Sequence, residues 1–335
     1  KIEIAECVPM APKWKQRISG LPMQNAVNYL KTDAHFGQYL GEVVLQFVSD
    51  HQLQGKVDFV SSHGQTVFHQ PENQMTSQVG DGAALAAKCG LPVICNFRNE
   101  DVAFGGQGAP IAPIADKLFY GDFRFCLNLG GIANISFQNA DGKMIGYDLC
   151  GCNMVLNALA NEINVEQDTD GALARSGNIN NELLNDLNAQ WYFEKPFPKT
   201  IGGGWVTKIF LPLFRKQRIS TEDKLRTAVE HIAMQIAKDI NSIYQSQGAT
   251  PSATDQMLVT GGGAFNKMLM ECISAHSPVQ LVVPDSTTIK FKEALLMCLM
   301  GALRVSNQVN VLSSVTGATQ DSIGGEIHQG TGRLL

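Results

Sequence analysis

Short apolar runs that end in polar or glycine-rich turns recur along the chain, and longer stretches with helical spacing lie between them. Residues 57–61 run into His63-Gly64, 91–96 into Phe97-Arg98, 125–129 into Gly130-Gly131, and 256–260 into Gly261-Gly262-Gly263. Over 36–51, 154–163, 226–245 and 291–305 the apolar positions follow helical spacing. Strand, turn and helix in alternation predict α/β layers with binding loops at the carboxyl ends of strands. Near the middle, 125–137, the turn Asn139-Ala140-Asp141-Gly142 and 143–147 read as a hairpin that opens a second lobe. Ile2 and Ile4 suggest a strand at the start. The stretch 191–204, broken by Pro196, Pro198 and Gly202-Gly203-Gly204, suggests a mobile surface excursion.

A chain of 335 residues with 44% hydrophobic content exceeds one small core, so two lobes with a cleft are expected. The formal charge of -5 offers no basic stripe, which argues against nucleic acid and anionic membrane as partners. Eight cysteines are scattered through apolar segments without a CxxC pair, the pattern of reduced, buried thiols in a cytoplasmic protein. The close pair Cys150 and Cys152 reads better as packing residues than as a redox or metal fragment. No apolar run reaches the roughly 20 residues of a membrane span and no secretory leader opens the chain, so a soluble, unexported protein is expected. A chain that begins at Lys1 suggests that the natural protein extends upstream.

Chemistry concentrates at the turns. Gly130-Gly131 follows one strand, and Gly261-Gly262-Gly263 lies between another strand and a helix start near Asn266. Glycines let backbone N–H groups approach a phosphate, and a helix N-terminus adds its dipole. For one Gly-Gly pair a tight turn without ligand is the simpler reading; two such turns in separate halves suit a nucleotide lying across a cleft. Neither matches a P-loop or a dinucleotide fingerprint. Asp148 follows 144–147 and precedes a helix, which fits a general base or an N-cap equally. The polar block Ser61 to Pro71, with His63 and His69, suits a hydroxyl-rich ligand such as a sugar. Arg98 can grip a carboxylate with two bonds, or pair internally with Glu100 or Asp101.

Five strings carry a resemblance to the anhydro-N-acetylmuramic acid kinases, from about residue 39 to residue 327: Ser62-His63-Gly64-Gln65-Thr66, the block 105–110, Asn128-Leu129-Gly130-Gly131-Ile132-Ala133-Asn134, Gly261-Gly262-Gly263-Ala264-Phe265-Asn266, and Ser314-Val315-Thr316-Gly317-Ala318. The resemblance implies an α/β, two-lobed actin/hexokinase-like (ribonuclease H-like) fold with a central cleft. The expected first lobe, on the sugar side, is 1–116 with 310–335; the second, carrying nucleotide and base, is 117–309. ATP and Mg²⁺ are the implied cofactors and an amino sugar the substrate, and the reading leaves room for a homodimer. Members open the 1,6-anhydro ring with water and phosphorylate O6, giving N-acetylmuramic acid 6-phosphate in cell-wall recycling.

By the same resemblance Asp148 stands at the general-base position and His63, Arg98 and Glu293 at or near sugar contacts. Gly130, Gly131, Gly261, Gly262, Gly263 and Asn266 fall on the nucleotide side. The family's opening hairpin, of the type Met-Ser-Gly-Thr-Ser-Leu-Asp-Gly, is not found ahead of Ile4. Two rival readings stand beside this one: a kinase of an ordinary amino sugar that opens no ring, and a silent sugar or nucleotide sensor.

Overall fold

The computed structural model describes residues 1–216 and 218–331. Of the expected first-lobe segment 310–335, residues 332–335 lie outside the described residues. The strands are β1 (Val60–Ser61), β2 (Gln65–Gln70), β3 (Met75–Val79), β4 (Val93–Cys95), β5 (Phe125–Leu129), β6 (Ile132–Gln138), β7 (Met144–Gly151), β8 (Gln256–Thr260), β9 (Gln280–Val282) and β10 (Glu326–His328). Contacts divide the chain into two compact units: Lys1–Ala115 with Phe291–Leu335, and Asp116–Lys290.

The second unit is built on a five-stranded sheet in the order β7-β6-β5-β8-β9. β5, β6 and β7 form an antiparallel meander, and β8 runs parallel to β5 and to β9. Phe125, Leu127, Leu129, Met257 and Val259 are fully buried, giving the near-continuous apolar runs of central strands. The helix Thr221–Ser246 is capped by the Ser220 hydroxyl, which accepts from the Asp223 amide. Its buried face repeats at three and four residues through Leu225, Val229, Ile232, Ile236, Ile240 and Ile243, and joins the sheet in one core. Burying such a side chain contributes roughly 1.5–3 kcal/mol.

In the first unit β1 pairs parallel with β4, β10 pairs antiparallel with β4, and β2 and β3 form a hairpin. Helix Ala26–Asp50 starts at Asn25, whose side chain accepts from the Asn28 amide, and packs on helix Gly82–Cys89, capped by Asp81. A Cβ on Gly41 would meet Lys88 Cβ at 2.6 Å, so this helix pair approaches at backbone distance. Helix Ser286–Val305 lies close to β1 through Gly301, and Ser61 Oγ donates to the Met297 carbonyl at 2.5 Å. That packing draws 291–309 into the first unit, whereas the sequence reading places those residues in the second.

Two local expectations change. Residues 1–11 form no strand or helix, and Ile4 and Val8 are exposed: two isoleucines in alternation do not make a strand without a partner. The stretch 191–204 keeps Trp191, 194–196, Pro198, Thr200, Gly202 and Gly204 exposed but is anchored in the core, because Tyr192, Phe193, Lys199 and Ile201 are buried. Its aromatic residues pack among Trp205, Phe210 and His231, which outweighs the loop signal of its prolines and glycines. Among the described residues no helix is long and apolar enough to cross a membrane.

Candidate active site

The two glycine turns of the second unit end neighbouring strands, since β5 and β8 are paired with Asn128 opposite Thr260. Gly261 has φ +84°, and a Cβ there would lie 2.6 Å from Asn128 Oδ1 and 2.7 Å from the Leu129 carbonyl oxygen. Only glycine fits that close approach. A Cβ on Gly263 would meet Leu129 Cβ at 2.7 Å, while one on Gly262 finds its nearest neighbour, Asn153 Nδ2, at 3.6 Å. Gly262 therefore turns an uncovered backbone toward the surroundings. The Gly130 carbonyl accepts from the Asn153 amide (3.1 Å) and that of Gly131 from Cys152 (2.9 Å) and Met154 (3.0 Å), so the first turn seats helix Asn153–Ala160.

Asn266 caps helix Lys267–His276 by accepting from the Leu269 amide at 3.0 Å. Gly262, Gly263 and Asn266 line one shallow recess together with Asn153, Asn157 and Phe265. Gly130, Gly131 and Gly261 are not among its lining residues. Both acidic groups at its rim are engaged: Asp168 accepts from the Leu173 and Ala174 amides, and Asp170 pairs with Lys267.

Asp148 lies inside β7, opposite Asn134 of β6. It is not an N-cap. Helix Asn153–Ala160 begins at Cys152, with no side-chain capping bond. One Asp148 carboxylate oxygen accepts from the Ile201 amide at 3.0 Å, and among the described residues no other hydrogen bond reaches that carboxylate. Its own amide donates to the Lys199 carbonyl, and Tyr192 OH donates to its carbonyl at 2.8 Å. Burial pushes the Asp148 carboxyl above the usual carboxylate range, and the Ile201 amide opposes this in part. Met154 touches the space beside both Gly131 and Gly203, which brings the first turn next to the segment that holds Asp148.

Sequence reasoning missed the anchor of that segment. Lys199 Nζ stands 3.1 Å from Asp239 Oδ2, both groups almost fully buried, and Tyr147 OH reaches the other Asp239 oxygen at 3.4 Å. A lysine between two prolines and a glycine run gives no signal of burial. Cys150 and Cys152 are packing residues: burial pushes the Cys150 thiol up and that of Cys152 to about 12, leaving both protonated at neutral pH.

In the first unit Arg98 and His63 are joined. Arg98 Nε and Nη2 lie 3.2 and 3.0 Å from His63 Nε2, and Nη1 donates to the Gly108 carbonyl at 2.5 Å. His63 Nδ1 sits 3.0 Å from the Gly64 carbonyl. A ring that accepts at Nε2 and donates at Nδ1 is neutral, and burial with Arg98 nearby depresses its pKa. The Glu293 charge acts on both His63 and Arg98, so all three residues share one neighbourhood. His69 joins them, since a Cβ on Gly108 would touch its ring and Arg98 lowers its pKa after burial does. Among the described residues Arg98 forms no ion pair with Glu100 or Asp101. Asp101 is instead buried beneath Gly108 and Thr316.

Fold and site together define the class: a mixed α/β protein with glycine turns at the carboxyl ends of parallel strands and a half-buried carboxylate in the same sheet. Over residues 2–330 the chain matches the family described as anhydro-N-acetylmuramic acid kinase. It is 32% identical over 329 residues to the anhydro-N-acetylmuramic acid kinase of Aliivibrio fischeri, covering 93% of this chain and 87% of that protein. To the protein of the same name from Hydrogenovibrio crunogenus it is 33% identical over 279 residues, covering 80% and 73%. Among solved structures, xylulose kinase from Rhodospirillum rubrum is similar at 16% identity with a TM-score of 0.35, over 53% of this chain and 38% of that one. The chain belongs to the anhydro-N-acetylmuramic acid kinase family.

Proposed function

We propose that this chain is an ATP-dependent kinase that opens 1,6-anhydro-N-acetylmuramic acid with water and phosphorylates the freed O6, acting in the cytoplasm in cell-wall recycling. The observation that carries the reaction is the Asp148 carboxyl, buried enough to be a stronger base than an exposed aspartate and held at one oxygen by Ile201. Asp148 takes a proton from water as its oxygen bonds to C1. The C1–O6 bond breaks, and O6 receives the γ-phosphoryl group as the bond to ADP breaks. Sugar, water and ATP thus give N-acetylmuramic acid 6-phosphate, ADP and a proton, which leaves from Asp148.

Support for nucleotide binding comes from the uncovered Gly262 backbone and the Asn266-capped helix start on one recess of the second unit. Gly130, Gly131, Gly261 and Gly263 shape the strand ends that hold it. In the first unit Arg98, neutral His63 and Glu293 would read the lactyl carboxylate and hydroxyls of the sugar. Magnesium on the phosphate oxygens supplies charge neutralisation when bound. Asp168 and Asp170 are engaged elsewhere and are not assigned to it.

Turnover in ¹⁸O-labelled water tests the reading. One solvent oxygen at C1, a phosphoryl group on O6 and one ADP per product are expected. A phosphorylated sugar without label overturns ring opening, and absence of ADP formation overturns the kinase.

A further inference from the structure

One cluster of metal-binding side chains in the first unit plays no part in this reaction. β4 and β10 run antiparallel with Cys95 directly opposite Glu326, and the two-residue period of a strand returns His328 to the same face. The Cys95 thiol sulfur, a Glu326 carboxylate oxygen and a His328 ring nitrogen all lie within 4.8 Å of one another. His328 Nε2 and Glu326 Oε2 are 3.8 Å apart.

Gly82, the first residue of helix Gly82–Cys89, makes room for this grouping. A Cβ there would lie 2.5 Å from His328 Cδ2 and 2.9 Å from Nε2, and would collide with Cys95 Sγ. Sulfur and imidazole therefore converge on one point. Asn96 Nδ2 donates to Glu326 Oε2 at 3.0 Å, which orients the carboxylate from outside. Cys95 is buried, while Glu326 is exposed and His328 partly so, leaving an open approach from the sheet edge. Asp33 and Asp81 add negative charge near the sulfur.

We propose that Cys95, Glu326 and His328 form a binding site for a zinc-class divalent cation, completed by water, that ties β10 to β4. A thiolate, an imidazole and a carboxylate suit zinc rather than magnesium or calcium, which prefer oxygen alone. Bonds of roughly 2.0–2.3 Å to a tetrahedral ion place donors about 3.3–3.8 Å apart. The grouping need close by only about 1 Å, within the rotamer freedom of exposed Glu326. On binding, the Cys95 S–H bond breaks, its proton passes to solvent and a sulfur–metal bond forms, so affinity rises with pH. Burial, then Glu326, Asp81 and Asp33, hold the free Cys95 thiol up at about 12, with the Gly82 amide opposing this in part, so the cation has to displace that proton.

Cobalt(II) added to the full chain is the probe. Thiolate-to-cobalt charge transfer and the intense ligand-field bands of a four-coordinate site are expected, saturating at one equivalent and displaced by zinc. Cys95→Ser should abolish the charge-transfer band, and His328→Ala should weaken binding roughly tenfold or more. Cys7→Ser/Cys298→Ser, which removes both exposed thiols, should leave the spectrum intact. Zinc should raise the thermal midpoint of the unmodified chain and not that of Cys95→Ser. Absence of a charge-transfer band in the unmodified chain, or its persistence in Cys95→Ser, overturns the site. Should Cys95→Ser fail to fold, unchanged cobalt affinity in His328→Ala does the same.

Discussion

Thr316 Oγ1 donates to the buried Asp101 carboxylate at 2.6 Å, joining residues 215 positions apart. The other Asp101 oxygen accepts from the Gly108 amide at 2.7 Å, and the Gly108 carbonyl accepts from Arg98. Asp101 thus fixes Gly108, and Gly108 fixes the guanidinium. Thr316→Val keeps the shape and removes the donor, leaving a buried carboxylate short of a partner. The expected cost is about 1–3 kcal/mol in urea unfolding, with Thr316→Ser close to the parent. Equal stability of Thr316→Val and the parent would show that the bond is not needed.

Asp148→Asn keeps size and removes the proton acceptor. Turnover should fall by about two to four orders of magnitude with little change in sugar affinity. Because the folded-state pKa of Asp148 is raised, the protonated form is favoured by folding. The stability that this group contributes is present at low pH and is lost as pH rises through the raised pKa. The Asp148→Asn variant has no charge to bury, so its thermal midpoint at pH 8 should not drop below that of the parent. The acid limb of the parent's pH–rate profile should lie above the ordinary carboxylate pKa. Near-normal turnover in Asp148→Asn removes Asp148 from the base role.

How much of this is legible in the sequence differs by element. β8 can be read to the residue, and both glycine turns are visible, because an apolar run that stops at glycine is a local signal. Helix Ser286–Val305 starts five residues ahead of its helical apolar spacing. Its true beginning is marked by Asp285, which accepts from the Thr287 and Thr288 amides, but β-branched Thr287, Thr288 and Ile289 hide the periodicity. The Asp101–Thr316 and Lys199–Asp239 pairings are long-range facts with no local trace. The Cys95, Glu326 and His328 grouping exists only through the register of β4 with β10.

Lys199→Met leaves Asp239 without its cation in a dry surrounding. Burial alone already lifts the Asp239 carboxyl above its usual range, with Lys199 opposing that lift. The single change should cost about 3–5 kcal/mol, and Lys199→Met/Asp239→Leu should recover most of it, since removing a buried pair whole is far less harmful than removing half. Turnover of the double variant reports on Asp148, because its Ile201 partner lies two residues beyond Lys199. A double variant as unstable as the single one would place the cost in lost packing rather than in an unpaired charge.

Arg98→Lys keeps the charge and loses the planar fork that spans His63 and Gly108. The sugar KM should rise about tenfold or more, in line with roughly 1.5–3 kcal/mol for bonds to charged groups. The ATP KM should hold. A rise in the ATP KM alone would move Arg98 out of the sugar contacts and into the nucleotide site.

Gly261 and Gly262 are neighbours with opposite requirements, and that contrast separates folding from binding in the second unit. Alanine at 261 must adopt a positive φ and push its methyl group against the Leu129 carbonyl at 2.7 Å, so Gly261→Ala should lower stability on the scale of ~1–3 kcal/mol for such backbone strain. Alanine at 262 meets nothing closer than 3.6 Å, so Gly262→Ala should fold with an unchanged midpoint. What it should change is nucleotide affinity, because the methyl group would occupy the approach of a phosphate or nucleoside to the backbone that lines the recess. Measured by calorimetry with ATP, the dissociation constant of Gly262→Ala should rise by about one order of magnitude, equivalent to roughly 1.4 kcal/mol. If Gly262→Ala binds ATP as the parent does, the nucleotide lies away from this turn, and the recess at Asn153 and Asn266 is not its site.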